Sequence, residues 1–489
     1  MVLLAGATGA SLLEDLRDYL NLLDEKGLLH KVNVEVDPVE EVPEVLRRLM
    51  WRRFDKAVLF EKLKGYPDWK VAGNLFGSTN LIKLALGTEE LEELGERFLA
   101  PFKASGARSF GEKVKTLMEF INMGKYLPKK VRKGPVLENE KEPDFLSLPA
   151  FKTWPKDASR YLTYALTVTK DPESGTYNFG IYRIMIYSPK RAVIHWQVHK
   201  RGASHYAKYK ELGFEKMPVA IVIGGDPATL LTGALPVPEG IDKYAFAGVL
   251  RGSPVKVVEV GDLLVPAYAE AVITGYVKVG ELAWEGPFGD HTGYYTPRDL
   301  YPVFHAEKFF VRTDPIYYGT VVGRPPMEDA YIGKATERIF LPLIKWLVPE
   351  VIDMNLPPEG LFHGIAIVSI RKKYPGHARK VAHALLGLGQ MSFTKIVIVV
   401  DQDVNVHDWG EVAYAIASTV DPERDVEIIR NDVTDVLDHT SPSPPAGSKM
   451  IIDATRKFKE ECGYEWPERS APDPKVSELV ERRWREYGF

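Results

Sequence analysis

Thr163-Tyr-Ala-Leu-Thr-Val-Thr-Lys170, Ile181-Tyr-Arg-Ile-Met-Ile186 and Ala192-Val-Ile-His-Trp196 are three β-rich runs in close succession. Asp171–Gly175 follows the first and Ser188-Pro189-Lys190 the second, and turn residues at that spacing predict antiparallel hairpins. Val219–Ile223, Val255–Val260 and Ala271–Val277 add strands with helical pieces between them. A curled sheet or small barrel with inserted helices is therefore expected at the centre of the chain.

Toward the N-terminus the pattern is mixed. Ser11 and Glu14 have the spacing of a capping box, in which each side chain satisfies an amide left free at a helix start. Leu12, Leu13, Leu16, Leu20 and Leu23 then share one face, and Gly27 suits a left-handed closing turn. Val32, Val34 and Val36 alternate as a strand does, and Asp37-Pro38 stops it. Helical patterns around Leu46 and from Leu81 to Leu94 complete an N-terminal α/β unit, assigned to residues 1–125. A basic, Pro-containing stretch from Lys125 to Pro135 reads as a linker into a central domain, 126–325.

Toward the C-terminus alternation returns. Ile339–Leu347 is helical in pattern, with Pro342 expected in the first turn, where no amide donor is missed. Ile365–Ile370, Ala378–Leu388 and Ile396–Val400 follow a βαβ rhythm, which predicts a parallel sheet in a C-terminal α/β domain, 326–489. After Ser441–Pro445 a charged helix, Lys475–Arg485, is suited to packing on a neighbouring domain or subunit, so a homodimer or higher homo-oligomer is expected. The fold class is α/β (α+β) throughout.

Bulk properties narrow the function. The 489 residues exceed a single core, and 63 Lys plus Arg against 67 Asp plus Glu leave a net charge of -4, no electrostatic basis for a nucleic-acid partner. One cysteine, Cys462, excludes a disulfide framework, a thiolate zinc site and an iron–sulfur cluster within one chain. No run approaches the ~18 apolar residues of a membrane span. Met1–Ala5 is apolar but lacks the basic start and long apolar core of a signal peptide, so a soluble, cytoplasmic protein is expected.

Two motifs carry little. Gly6-Ala-Thr-Gly9 imitates a phosphate-binding loop without the full fingerprint or its later acidic residue. Asp401, Asp403 and Asn405 imitate a calcium loop, but Val406 and Val412 stand where Gly and Glu are required.

Two others carry chemistry. Trp284-Glu285-Gly-Pro-Phe-Gly-Asp290-His-Thr-Gly-Tyr-Tyr295 sets two carboxylates on an irregular Gly/Pro backbone. Neighbouring carboxylates raise each other's pKa, so one of them is expected to stay protonated near neutral pH and act as an acid. Asn178-Phe-Gly180-Ile-Tyr182-Arg183 is read as one strand with Asn178, Gly180 and Tyr182 on one face and Arg183 on the other. Arg183 is suited to gripping a carboxylate with two parallel hydrogen bonds. His195-Trp-Gln-Val-His199-Lys-Arg-Gly202 gathers donors and a large ring, as a phosphate-bearing flavin requires.

Together with Tyr244-Ala-Phe-Ala-Gly248, Asp401…Asp403-Val-Asn405…Trp409 and Gly447-Ser-Lys-Met-Ile-Ile-Asp453-Ala-Thr, these segments resemble the UbiD family of decarboxylases, from about residue 10 to 460. The resemblance implies a central split β-barrel that binds prenylated FMN, a cofactor made by a separate flavin prenyltransferase. It implies that the flavin rests against Ile181, Tyr182, Arg183, His195, Trp196 and Gln197, with Lys200, Arg201 and Lys395 at its phosphate. It also implies a divalent metal, usually manganese, with a potassium ion, held by an Asn–His–Glu set. Asn178 matches the Asn and His199 the His. Lys243 stands where the family has its Glu, which leaves Glu239 or Asp242 as a third ligand, or the Lys243 ammonium itself as the cation. The implied reaction is reversible, non-oxidative decarboxylation of an α,β-unsaturated or aromatic acid. Arg183 orients the carboxylate, and Asp290 or Glu285 delivers the proton. The alternatives are a flavin-dependent oxidoreductase on the same barrel and a non-catalytic flavin-binding homologue.

Overall fold

The computed structural model describes residues 12–105, 111–112, 124 and 126–489. The Gly6–Gly9 stretch, Ser11 and Lys125 lie outside them. The first helix is Leu16–Glu25, later than the capping box predicts: Asp15 caps it, its side chain accepting from the Asp18 amide. Leu12 and Leu13 precede the helix, while Leu16, Leu20 and Leu23 are buried as expected, and Gly27 closes the end at φ +67°.

Four strands form the N-terminal sheet, in the order Leu29–Val36, Ala57–Leu63, Lys70–Gly73, Ile316–Tyr318. The last enters from the far end of the central segment and pairs parallel with Lys70–Gly73, tying that sheet to the barrel.

The central sheet runs Tyr161–Leu162, Ile184–Ser188, Arg191–Ile194, Asp299–Val311, Ala271–Glu285, Lys216–Ile223, Leu166–Lys170, Tyr177–Ile181. Each neighbour pairs antiparallel. Tyr177–Ile181 forms one edge, and Ile184–Ser188 is second from the other, yet only Tyr182 and Arg183 connect them. Two residues reach roughly 10 Å at full extension. The sheet must therefore curl until its edges meet, which is the split barrel. Tyr182 and Arg183 lie across the seam and belong to neither strand, so the single strand expected over Asn178–Arg183 is broken there. The Tyr182 ring folds back over Gly180, where a Cβ would come within 2.6 Å of its hydroxyl.

The C-terminal sheet runs Val351–Asn355, Ile365–Ile370, Ile396–Asp401, Ala446–Ala454, Val426–Val433. Its middle three strands are parallel, as the βαβ rhythm predicts, and its two edges are antiparallel. A twenty-residue helix, Glu328–Leu347, joins this domain to the rest, burying Ile332, Ala335 and Ile339 in the N-terminal core and Leu341 and Ile344 in the C-terminal one. Pro342 is inside this helix rather than in its first turn. The crossing helix Leu91–Ser105 packs on it at Gly95, where a Cβ would lie 2.2 Å from the Ile339 carbonyl oxygen. The terminal helix Pro474–Arg483 has no buried residue. Among the described residues no helix is long and apolar enough to cross a membrane.

Candidate active site

Arg183 reaches from the barrel seam to both carboxylates of the Glu285–Asp290 turn. Its Nε and Nη2 donate to Glu285 Oε1 and Oε2 at 2.9 Å, its Nη1 donates to Asp290 Oδ2, and Nη2 also meets Thr296 Oγ1 at 3.1 Å. The guanidinium lies over the Phe288 ring, 4.7 Å from its centroid. All three charged side chains are buried.

The turn owes its shape to local chemistry. Glu285 ends the strand Ala271–Glu285, and Gly286 follows at φ +87°, a left-handed conformation that favours glycine. Gly289 packs against Trp154, which leaves no room for a Cβ. Asp157 accepts from the Gly289 amide at 2.8 Å and from the Thr153 and Trp154 amides, fastening the turn to its neighbour. The Asp290 amide donates to the Tyr294 carbonyl at 3.1 Å.

Electrostatics here differ from the sequence expectation. Burial pushes the Glu285 pKa up, but the His195 hydrogen bond and the Arg183 charge outweigh it and bring it down to about 2. Burial acts likewise on Asp290, and His291 with Arg183 hold it below the ordinary carboxylate range. Both carboxylates are ionised because Arg183 stands between them. Neither is the standing acid that mutual repulsion would have made.

The segment expected to hold a flavin is full of unsatisfied polar atoms. His195 Nδ1 meets Glu285 Oε2 at 3.0 Å, while its buried Nε2, Trp196 Nε1 and both nitrogens of His199 have no partner. Ile181 is half-buried and Gln197 buried, and the Tyr182 hydroxyl accepts from the Gly202 amide at 3.2 Å. Lys200, Arg201 and Lys243 gather nearby, with Asp435 acting on Lys200 and Glu239 and Asp242 acting on Arg201. Arg201 donates to the Ile241, Val237 and Pro238 carbonyls. Three clustered cations beside unpaired buried polar atoms fit a phosphate-bearing ring. Lys395 is held by Asp438 at 2.9 Å and by Thr440, within the C-terminal domain.

The divalent metal fits poorly. Asn178 Nδ2 meets Thr169 Oγ1 at 3.4 Å, and the His199 ring packs on Phe393. Asp242 caps the helix Lys243–Arg251, accepting from the Tyr244, Ala245 and Tyr177 amides, and Glu239 is exposed. Lys243 is buried instead, its Nζ 3.3 Å from the Thr232 and Gly233 carbonyl oxygens at the end of the helix Pro227–Ala234.

Three residues escaped the sequence reading. His291 Nδ1 faces Asp290 Oδ1 at 2.9 Å, and His291 Nε2 lies 3.2 Å from His363 Nε2, which is 3.6 Å from Asp435 Oδ2. Adjacency to Asp290 was the only signal for His291, and nothing local marks His363 or Asp435.

Family models for the 3-octaprenyl-4-hydroxybenzoate carboxy-lyase match in chain order: the N-terminal domain at 20–98, the Rift-related domain at 129–325 and the C-terminal domain at 330–454. The chain belongs to the UbiD family. It is a UbiD-type carboxy-lyase. An uncharacterized protein of Aeropyrum pernix is 51 % identical over 97 % of this chain and 99 % of its own. The closed form of vanillic acid decarboxylase from Sedimentibacter hydroxybenzoicus is 28 % identical and superposes at a TM-score of 0.84, covering 98 % of this chain and 100 % of that one. The UbiD-class enzyme HmfF from Pelotomaculum thermopropionicum, solved with FMN, is 29 % identical at a TM-score of 0.77, covering 96 % and 99 %.

Proposed function

We propose that this UbiD-type enzyme removes carbon dioxide from an α,β-unsaturated or aromatic carboxylic acid, using prenylated FMN. The observation that carries this reading is one buried arginine gripping two carboxylates at the barrel seam. Ile181, Tyr182, Arg183, His195, Trp196 and Gln197 would line the ring, and Lys200 and Arg201, with Lys395 from the C-terminal domain, the phosphate. Loss of carbon dioxide leaves a carbanion that side chains cannot delocalise, and the flavin, when bound, supplies that electron sink.

The residues then divide the remaining work. Glu285 holds Arg183 in place through two parallel hydrogen bonds. Arg183 Nη1, bonded to Asp290 in the structure, is the prong a substrate carboxylate takes over. Displaced from the guanidinium, Asp290 loses a charge that held its pKa down, so it accepts a proton and becomes the acid that protonates the product. Burial of all three groups keeps bulk water from the reacting carbon.

Lys243 replaces the divalent cation beside the flavin phosphate. Its Nζ sits 3.3 Å from two carbonyl oxygens, and once a phosphate favours its charged form it cannot act as a ligand. A separate prenyltransferase would supply the cofactor, and a second copy of the chain would cover the exposed terminal helix.

The reading is tested by mass spectrometry of the native cofactor and a screen of unsaturated and aromatic acids for carbon dioxide release. A prenylated flavin mass with release from at least one acid is expected. Unmodified FMN together with reduction by a nicotinamide would assign the barrel to redox chemistry instead.

A further inference from the structure

Asp290 is buried, and each product protonation empties it of one proton. A line of contacts leads outward from it: His291 at 2.9 Å, His363 at a further 3.2 Å and Asp435 at 3.6 Å. Side-chain exposure is 7 % at Asp290, 9 % at His291, 26 % at His363 and 16 % at Asp435, so the line opens toward solvent at His363. The line also crosses between domains. Asp290 and His291 belong to the central turn, whereas His363 precedes the strand Ile365–Ile370 and Asp435 follows Val426–Val433.

Two imidazole nitrogens 3.2 Å apart need a proton between them, because two lone pairs facing each other repel. The groups around the pair decide which ring holds it. Asp290 of the turn, Asp329 of the helix Glu328–Leu347 and Asp435 face His291 and favour its cation. Lys200, at the head of the helix Arg201–Glu211, and Asp438 also act on His363. Burial and the charge of His291 bring the His363 pKa down to about 4, while His291 is raised despite its burial. His363 Nδ1 is buried without a partner, which an acceptor nitrogen tolerates better than an N–H donor.

We propose that His291 stores the proton that Asp290 delivers, as an imidazolium held between Asp290 and His363 while the C-terminal domain is closed on the barrel. The need for a proton rests on the decarboxylase reading. In the step, the Nδ1–H bond of His291 breaks as an O–H bond forms at Asp290 Oδ1. His291 becomes neutral, keeping its remaining proton on Nε2 toward His363. Asp290 then passes its proton to the carbon that has lost carbon dioxide and returns to carboxylate. One proton from water restores the imidazolium when the domains part. Vanillic acid decarboxylase of Sedimentibacter hydroxybenzoicus is known in closed and open forms, and this chain superposes at 0.84 on the closed and 0.76 on the open. His291 is thus a positioning residue that acts through Asp290.

The test is ¹⁵N-imidazole NMR of the full-length, histidine-labelled protein, with His291→Gln used to assign the His291 signals. In the wild type His291 is expected to be doubly protonated at pH 7. In His363→Leu and Asp435→Asn its midpoint is expected to fall by about one unit, since each change removes a favourable partner. A neutral His291 at pH 7, or a midpoint unmoved in both variants, overturns the proposal whatever the reaction is. With an acid found in the carbon dioxide screen, His291→Gln is expected to lower kcat ~10²-fold with KM little changed, and added imidazole to restore part of it. Lost turnover that imidazole does not restore overturns the stored-proton role as well. A failed screen overturns the decarboxylase reading alone, because the NMR titration needs no substrate.

Discussion

Arg183 and Glu285 face each other in a two-pronged ion pair, Nε and Nη2 each 2.9 Å from a carboxylate oxygen, with the glutamate side chain wholly buried. The pair fixes the guanidinium plane, and with it the direction of the third prong, Nη1, which meets Asp290. A lysine has one nitrogen and no plane to fix.

Arg183→Lys is therefore expected to fold yet lose turnover by ~10²-fold or more, with KM raised as well. Arg183→Met is expected to be strongly destabilised, by ~3–5 kcal/mol, because it leaves two buried carboxylates without their cation. Thermal melts and steady-state kinetics on a substrate from the acid screen check both. Wild-type turnover and affinity in the lysine variant would remove the clamp.

Asp290→Asn and Glu285→Gln separate the two carboxylates. Asp290→Asn keeps the hydrogen-bonding shape but cannot carry a proton to carbon, so kcat is expected to fall ~10²–10⁴-fold. Glu285→Gln loses charge opposite Arg183 and His195, so substrate affinity is expected to suffer with turnover. Acid stability gives an independent readout. The Glu285 pKa is depressed from 4.5 to about 2, so its contribution is full above 4.5 and is lost as pH falls toward 2. Melting temperature across that window is expected to fall less in Glu285→Gln than in the wild type.

The sequence was most legible where a local pattern coincides with a local force. Buried strands such as Ile365–Ile370 and Ile396–Asp401 are apolar because both faces are covered. The charged residues Arg183, Glu285 and Asp290 were legible as types, and the structure brings them together. What failed depends on distant chain. Asp15 caps the first helix partly because Arg312, nearly three hundred residues on, fixes its carboxylate. Pro342 sits mid-helix against Gly95 of a helix far away in the chain, a contact that local pattern does not show. The two carboxylates are ionised because an arginine from the barrel seam, about a hundred residues earlier in the chain, stands between them, which no reading of the turn alone can show. His363 and Asp435 reach His291 only through the packing of the C-terminal domain.

Flavin binding is expected to take up protons. In the flavin-free protein, burial and then the charges of Arg201 and Lys200 depress the Lys243 pKa, and burial depresses that of Lys200. Phosphate favours the charged form of both. As pH rises through those lowered values the free protein holds less charge, so FMN affinity is expected to fall with rising pH once the phosphate is a dianion. Lys243→Gln is expected to flatten the slope, as read by FMN fluorescence quenching. An unchanged slope would place the phosphate away from Lys243.

Lys243 also decides the metal question. The ammonium sits at the end of the helix Pro227–Ala234, 3.3 Å from two carbonyl oxygens, a place where a cation is favoured by the helix dipole. Opposite charges ~4 Å apart attract by about 4 kcal/mol at an effective dielectric near 20, before desolvation is subtracted, so one ammonium is enough to matter at the phosphate. Prolonged chelation of the wild-type protein is therefore expected to leave flavin content and turnover largely unchanged. Lys243→Glu reverses the charge and restores the acid that the family resemblance groups with Asn178 and His199. Its flavin retention, followed by absorbance after desalting, is expected to be poor alone and restored by added manganese. A stoichiometric divalent ion in the purified wild type, whose removal releases the flavin, would overturn the replacement and assign the third ligand to Glu239 or Asp242.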